Sequence, residues 1–165
     1  MLARLLPWVT FLVPFWAVPA FSQNRVIAIT GKAGAEITAN CKAQIDLVGR
    51  LILKYPHPNE WSWYVACDDK TWIALARHLG IEDPSRQDAI YAATSLKQHS
   101  SYIRGPALRH LSAFVPSPDH VIAHELAHIY TGSRDEIIAD DLSLQWLSEP
   151  GLRDRPAYSD LRAER

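Results

Sequence analysis

The sequence has little excess charge, few cysteines and no repeated segment, and each absence excludes a class of protein. Lysine and arginine number 17 against 18 aspartates and glutamates, so the net charge is −1. A chain without a positive surplus has no electrostatic basis for binding nucleic acid or an anionic membrane surface. The two cysteines do not form a Cys-x-x-Cys pair, which argues against a thiolate zinc site or a redox motif. With no repeat or low-complexity tract, 165 residues that are 48% hydrophobic suit one domain with a substantial core.

Residues 1–22 have the pattern of a signal peptide and are kept apart from the fold. A basic start at Arg4 precedes a mostly apolar stretch, and small residues at Ala20 and Ser22 favour cleavage before Gln23, with cleavage after Ala20 as the alternative. Prolines within the stretch disfavour a membrane-spanning helix, so membrane association is expected only if this segment stays uncleaved as an anchor. The pattern predicts export to the periplasm or the extracellular space.

The only two cysteines, Cys41 and Cys67, both lie in the mature part of the chain. An oxidising compartment favours a disulfide between them, which would tie the first helix to the strand that follows it. The alternative is a pair of buried free thiols.

Apolar periodicity divides residues 23–149 into helices and strands, and a polar tail follows at 150–165. The predicted strands cover residues 25–30, 61–66, 89–95 and 101–104, and the last two form a hairpin. The predicted helices cover residues 35–55, 68–79, 118–131 and 134–147. This order predicts an α+β domain with helices packed on a small, mainly antiparallel sheet.

The segment His124-Glu125-Leu126-Ala127-His128 carries the clearest chemical signal. Two histidines four residues apart lie about one turn apart on one helix face, so both imidazoles can reach one metal ion. Glu125 lies beside the first histidine, close enough to polarise a water on that ion. No proline or glycine interrupts residues 119–131, which supports a helix here.

A second helix follows this one after a short turn. Gly132 ends the first helix, and Ser133 to Glu136 has the pattern of a capping box that opens the next. Two helices joined in this way form an antiparallel αα-hairpin.

The hairpin brings a carboxylate opposite each histidine. Counted from the turn, His128 faces Glu136 and His124 faces Asp140. One carboxylate can be the third metal ligand, and the other can orient the imidazole of His124. Taken singly, these residues could serve only in helix capping, packing or solvation, but together they form a set on matching positions.

These motifs resemble the zincin metallopeptidases. The His-Glu-x-x-His segment is similar to the zinc helix of that clan, and Glu136-Ile137-Ile138-Ala139-Asp140 is similar to the ExxAD signature of its gluzincin branch. The short gap before Glu136 most resembles the compact minigluzincins. The resemblance implies Zn²⁺ held by His124, His128 and Glu136, with Asp140 hydrogen-bonded to the first histidine. Asp135 and Asp140 remain alternative third ligands.

The resemblance also implies a zincin-like fold and a function. It implies a secreted or periplasmic zinc metallopeptidase, more an endopeptidase than an exopeptidase, that cleaves protein or peptide substrates with Glu125 as general base and then acid. The sheet's edge strand would bind the extended substrate, and residues 101–104 are the expected edge. The candidates for the residue that stabilises the oxyanion are Tyr102, Arg104, His110 and Tyr130. The alternative function is a non-catalytic zinc-binding regulatory or partner-binding protein of the cell envelope. Nothing in the pattern predicts an oligomeric state.

Overall fold

A computed structural model describes residues 24–32, 34–81, 91–109 and 117–148. The predicted signal peptide and the predicted polar tail lie outside the described residues, as do the start of the third predicted strand and His110. Within the described ranges, no helix has the length and apolarity needed to cross a membrane.

Strands and α-helices follow one another along the described residues. The strands are β1 (Arg25–Ile29), β2 (Ser62–Ala66), β3 (Ala92–Ser95) and β4 (Ser100–Arg104). The α-helices are α1 (Ala39–Ile52), α2 (Asp69–His78), α3 (Pro118–Thr131) and α4 (Glu136–Ser148). Each predicted helix and strand therefore has an observed counterpart, and the predicted α+β class is confirmed.

The four strands form one mixed sheet in the order β1-β2-β4-β3. β1 pairs with β2 in parallel, β2 pairs with β4 in parallel, and only β3 and β4 are antiparallel. The prediction of a mainly antiparallel sheet is wrong, because α1 carries the chain back to the end where β1 began. The prediction that residues 101–104 form the edge is also wrong. β4 lies between β2 and β3, and the hairpin places β3 at the edge of the sheet.

Side-chain caps fix where the first three helices begin. The Thr38 side chain accepts a hydrogen bond from the Cys41 amide, so α1 begins at Ala39 rather than at residue 35. Asp68 caps α2 in the same way. Ser117 caps α3, where Pro118 occupies the first helical turn as predicted.

The two faces of the sheet carry different helices, because side chains alternate along each strand. Helices α1 and α3 pack on one face, and α2 packs on the other. The larger core includes the following fully buried side chains: Val48, Trp63, Val65, Ile103, Ile122 and Leu126. The face under α3 thus combines a dry apolar core with the helix that bears both histidines.

Cys41 of α1 forms a disulfide with Cys67, which directly follows β2. The predicted disulfide is confirmed, and it joins α1 to the second strand of the sheet. Cys41 itself is fully buried.

Removal of this disulfide is expected to lower the free energy of unfolding by about 3 to 4 kcal/mol, because the crosslink closes a loop of intermediate length. The two cysteines are 26 residues apart in sequence. The double variant Cys41→Ala/Cys67→Ala should show this loss in urea denaturation relative to the oxidised protein. The unmutated protein with its disulfide reduced provides the control, since its urea midpoint should be close to that of the variant. Two free thiols in the denatured, unreduced protein would contradict the prediction.

Candidate metal centre

The turn between α3 and α4 determines which carboxylate faces the histidines. α3 ends at Gly132, whose φ of 64° is the left-handed conformation that favours glycine. The Asp135 carboxylate accepts hydrogen bonds from the Ile137 and Ile138 amides at 2.9 and 3.3 Å, so Asp135 caps α4. The predicted helix start at residue 134 is therefore two residues early. Because the Asp135 side chain is engaged by the helix start, Glu136 is the carboxylate that projects toward α3.

Three side-chain atoms from the two helices converge on one point. His124 Nε2 lies 3.0 Å from His128 Nε2 and 3.0 Å from Glu136 Oε2, and His128 Nε2 lies 3.5 Å from that oxygen. Ligands bound to one zinc ion at about 2.0 Å in tetrahedral geometry are separated by about 3.3 Å. The three atoms thus have the spacing of ligands around a single small metal ion.

The Nδ1 atom of each imidazole lies within hydrogen-bonding distance of an acceptor oxygen. His128 Nδ1 lies 2.9 Å from the Ser133 carbonyl oxygen, which can only accept, so Nδ1 carries the hydrogen. His124 Nδ1 lies 2.7 Å from Asp140 Oδ1 and donates to that carboxylate in the same way. In the neutral rings, each Nε2 therefore presents a lone pair to the other and to Glu136. Such a set of acceptors repels itself unless a cation lies among them, so its chemistry fits a metal ion.

The predicted pairs of facing residues are both observed. His128 lies opposite Glu136, and His124 lies opposite Asp140. His120 also lies at this place, with its Nε2 3.9 Å from Asp140 Oδ1, although no motif drew attention to it. Its spacing of four residues before His124 is the signal that could have found it, since residues 120, 124 and 128 share one helix face. His120, His124 and Asp140 form a second group with metal-ligand spacing.

His120 differs from the other two histidines in its surroundings. Burial is the main cause that lowers the pKa of His120, and the neighbouring Asp140 carboxylate partly opposes this effect. The ring therefore favours the neutral form. Because Asp140 already accepts from Nδ1 of His124, the group around Glu136 is the more complete set of ligands.

Glu125 follows His124 directly on α3, next to the candidate ligands, and is only 5% exposed. Burial is the largest cause that raises the pKa of its carboxyl, and a hydrogen bond from the Thr94 side chain opposes the rise. The nearby charges of His124 and His128 lower this pKa, and that of Glu136 raises it. Among the described residues, no group hydrogen-bonds Glu125 Oε2. Glu125 Oε2 is thus a buried acceptor without a hydrogen-bond partner among the described residues, close to the charges of His124, His128 and Glu136.

The centre opens to solvent on the side of α4. The Glu136 side chain is 74% exposed and that of Asp140 is 56% exposed, whereas the His128 side chain is 9% exposed. The sheet covers the centre on one side. On the other side, the carboxylates of α4 are exposed to solvent. A substrate could therefore approach the centre without displacement of the core.

The four predicted oxyanion residues have different surroundings. The Tyr102 hydroxyl donates to Gln98 Oε1 at 2.8 Å, and Arg104 Nε donates to Asp69 at 2.7 Å on the sheet face that carries α2. The Tyr130 ring contacts the Trp146 ring edge-on at 5.6 Å, and His110 lies outside the described residues. The identity of the oxyanion residue stays a prediction.

No family model matches the chain, and no curated protein or solved structure matches it either. The function of the centre is therefore inferred from its own residues.

Proposed function

We propose that this chain is an exported zinc metallopeptidase of the compact gluzincin type. The observation that carries the proposal is the convergence of His124, His128 and Glu136 within 3.5 Å, with a buried Glu125 carboxylate beside them. A purely structural zinc site is closed by four protein ligands and has no use for an adjacent carboxylate. The predicted signal peptide supports export, and the Cys41–Cys67 disulfide is consistent with it.

The residues around the centre would divide the work of peptide hydrolysis. When bound, zinc would act as a Lewis acid and lower the pKa of a water from about 15.7 to near 7. Glu125 would accept a proton from the attacking water at Oε2 and then donate it to the nitrogen of the leaving amine. Asp140 and the Ser133 carbonyl would hold His124 and His128 in the tautomers that present Nε2 to the centre.

The edge strand β3 is the proposed site for an extended substrate. Among the described strands only β4 pairs with β3, so the outer edge of β3 can accept an added strand. β3 also carries Thr94, whose side chain hydrogen-bonds Glu125. A peptide added along β3 would therefore pass the general base, which favours cleavage within a chain over removal of a terminal residue.

The metal content of the purified protein tests the proposal directly. We expect about one zinc ion per chain by elemental mass spectrometry, and we expect it to be lost in His124→Ala, because removal of one of three protein ligands leaves too few to retain zinc through purification. Hydrolysis of a quenched fluorescent peptide library should need the zinc and should stop when a chelator removes it. His78→Ala, an exposed histidine at the end of α2, is the matched control and should keep the metal.

Two outcomes would overturn the proposal in different ways. No zinc after reconstitution with excess metal would mean that the histidines serve packing alone. One tightly bound zinc without turnover of any peptide would favour the non-catalytic zinc-binding protein instead.

A further inference from the structure

Three side chains form a chain of hydrogen bonds that ends at Glu125. Trp61 Nε1 donates to Ser101 Oγ at 3.0 Å, and Ser101 Oγ lies 2.7 Å from Thr94 Oγ1. The Thr94 side chain in turn hydrogen-bonds Glu125. Thr94 and Ser101 are direct partners in the β3–β4 register, so their side chains lie on the same face of the sheet.

The donor and the acceptor in each of these hydrogen bonds are set by whether the groups at the two ends can donate or accept. An indole N–H only donates, and the Glu125 carboxylate only accepts in the ionised form that the proposed general base requires. Thr94 must therefore give its hydrogen to Glu125, and so it accepts the hydrogen of Ser101. Ser101 in turn accepts from Trp61. Every hydroxyl in the chain thus has one possible orientation.

The bond between Trp61 and Ser101 is buried, whereas Thr94 is partly exposed. Ser101 is fully buried, and Trp61 is 7% exposed. The Trp61 ring also stacks on His99, with ring centres 5.5 Å apart and planes 9° from parallel. Because the bond between Trp61 and Ser101 lies in a region of low dielectric, it is stronger than in water, and it holds the Ser101 hydroxyl in place for Thr94.

We propose that Thr94 is a positioning residue that holds the Glu125 carboxylate so that Oε2 faces the metal centre. This role rests on the proposed peptidase function. This series of hydrogen bonds cannot carry protons away from Glu125 by relay, since it ends at the indole N–H of Trp61, which cannot accept a proton.

Two substitutions of Thr94 distinguish the contribution of its hydroxyl group from that of the shape of its side chain. Thr94→Val keeps the branched side chain but lacks the donor, and it should lower kcat by about tenfold to a hundredfold, the worth of a hydrogen bond to a charged group. KM and zinc content should change little, because an added strand would pair with the backbone of β3, which Thr94→Val keeps, and no candidate ligand is altered. Thr94→Ser restores the hydroxyl and should recover most of kcat. Thr30→Val is the matched control, since the Thr30 hydroxyl bonds the Lys32 carbonyl near the end of β1.

A double-mutant cycle provides a readout that does not depend on activity. In the zinc-free protein, Thr94→Val should lower the urea midpoint, and it should lower it much less when Glu125 is replaced by leucine. Equal shifts in both backgrounds, or equal kcat losses in Thr94→Val and Thr94→Ser, would overturn the positioning role. Coupling in the cycle without turnover by the parent protein would support the contact and overturn the peptidase function alone.

Discussion

Replacement of Glu125 with glutamine is expected to lower kcat by about 10²- to 10⁴-fold, the contribution of a positioned general acid–base, while the protein keeps its zinc. Glutamine has the shape of glutamate and its carbonyl oxygen can still accept the hydrogen of Thr94, but it cannot take a proton from water. Glu125 is not one of the three converging ligands, so the metal content should not change. The measurement combines kcat on a cleaved peptide with zinc per chain from elemental mass spectrometry.

Glu36→Gln is the matched control for this experiment, because Glu36 is exposed and lies in the segment before α1. It removes the same charge at a distance from the centre and should leave kcat unchanged. Unchanged turnover in Glu125→Gln would contradict the assignment of Glu125 as general base. Loss of zinc in that variant would instead mean that Glu125 contributes to metal binding.

The convergence of His124, His128 and Glu136 could be predicted because the positions of these residues are local in sequence. His124 and His128 are one helical turn apart, and the short turn at residues 132–135 sets which residue of α4 faces each histidine. The count along the sequence still left Asp135 and Asp140 as alternative third ligands. Glu136 and Asp140 followed from the same count along α4. The local error was the cap, since Asp135 rather than Ser133 caps α4, which begins at Glu136.

The sheet was predicted less well because strand pairing depends on residues that are distant in sequence. The pattern of each strand marked its position but not its neighbours, so the parallel pairing of β2 with β4 was missed. The alternation of strands with α1 and α2 was the available signal, since a helix between two strands favours parallel pairing. The edge position of β3 likewise depends on the complete order of strands.

The contact between Thr94 and Glu125 shows the same limit at the level of one side chain. Thirty-one positions of sequence separate two residues that meet only because α3 packs over β3. Thr94 and Ser101 are common strand residues, and nothing in their sequence context distinguishes them from other polar positions. Once the face under α3 is known, alternation along β4 assigns Ser101 to that face and Tyr102 to the opposite one.

The third ligand is expected to be Glu136, and three amide substitutions should rank the carboxylates near the centre. Glu136→Gln should weaken zinc binding by more than about a hundredfold, because it removes a ligand rather than a partner of a ligand. Asp140→Asn should weaken binding by about 10- to 100-fold, since the asparagine still meets His124 but no longer offers it a charged acceptor. Asp135→Asn should leave zinc affinity unchanged, because asparagine caps a helix as well as aspartate.

Competition with a chromophoric chelator at one fixed pH measures these affinities, and the pH must be held because metal and protons compete for the same ligands. All three substitutions remove one negative charge from the cap or the first two turns of α4, so a general electrostatic effect would weaken binding similarly in each. A ranking with Glu136 first therefore isolates direct ligation from charge alone. A larger loss in Asp135→Asn or in Asp140→Asn than in Glu136→Gln would assign the third ligand to that aspartate and would require α4 to turn when the metal binds.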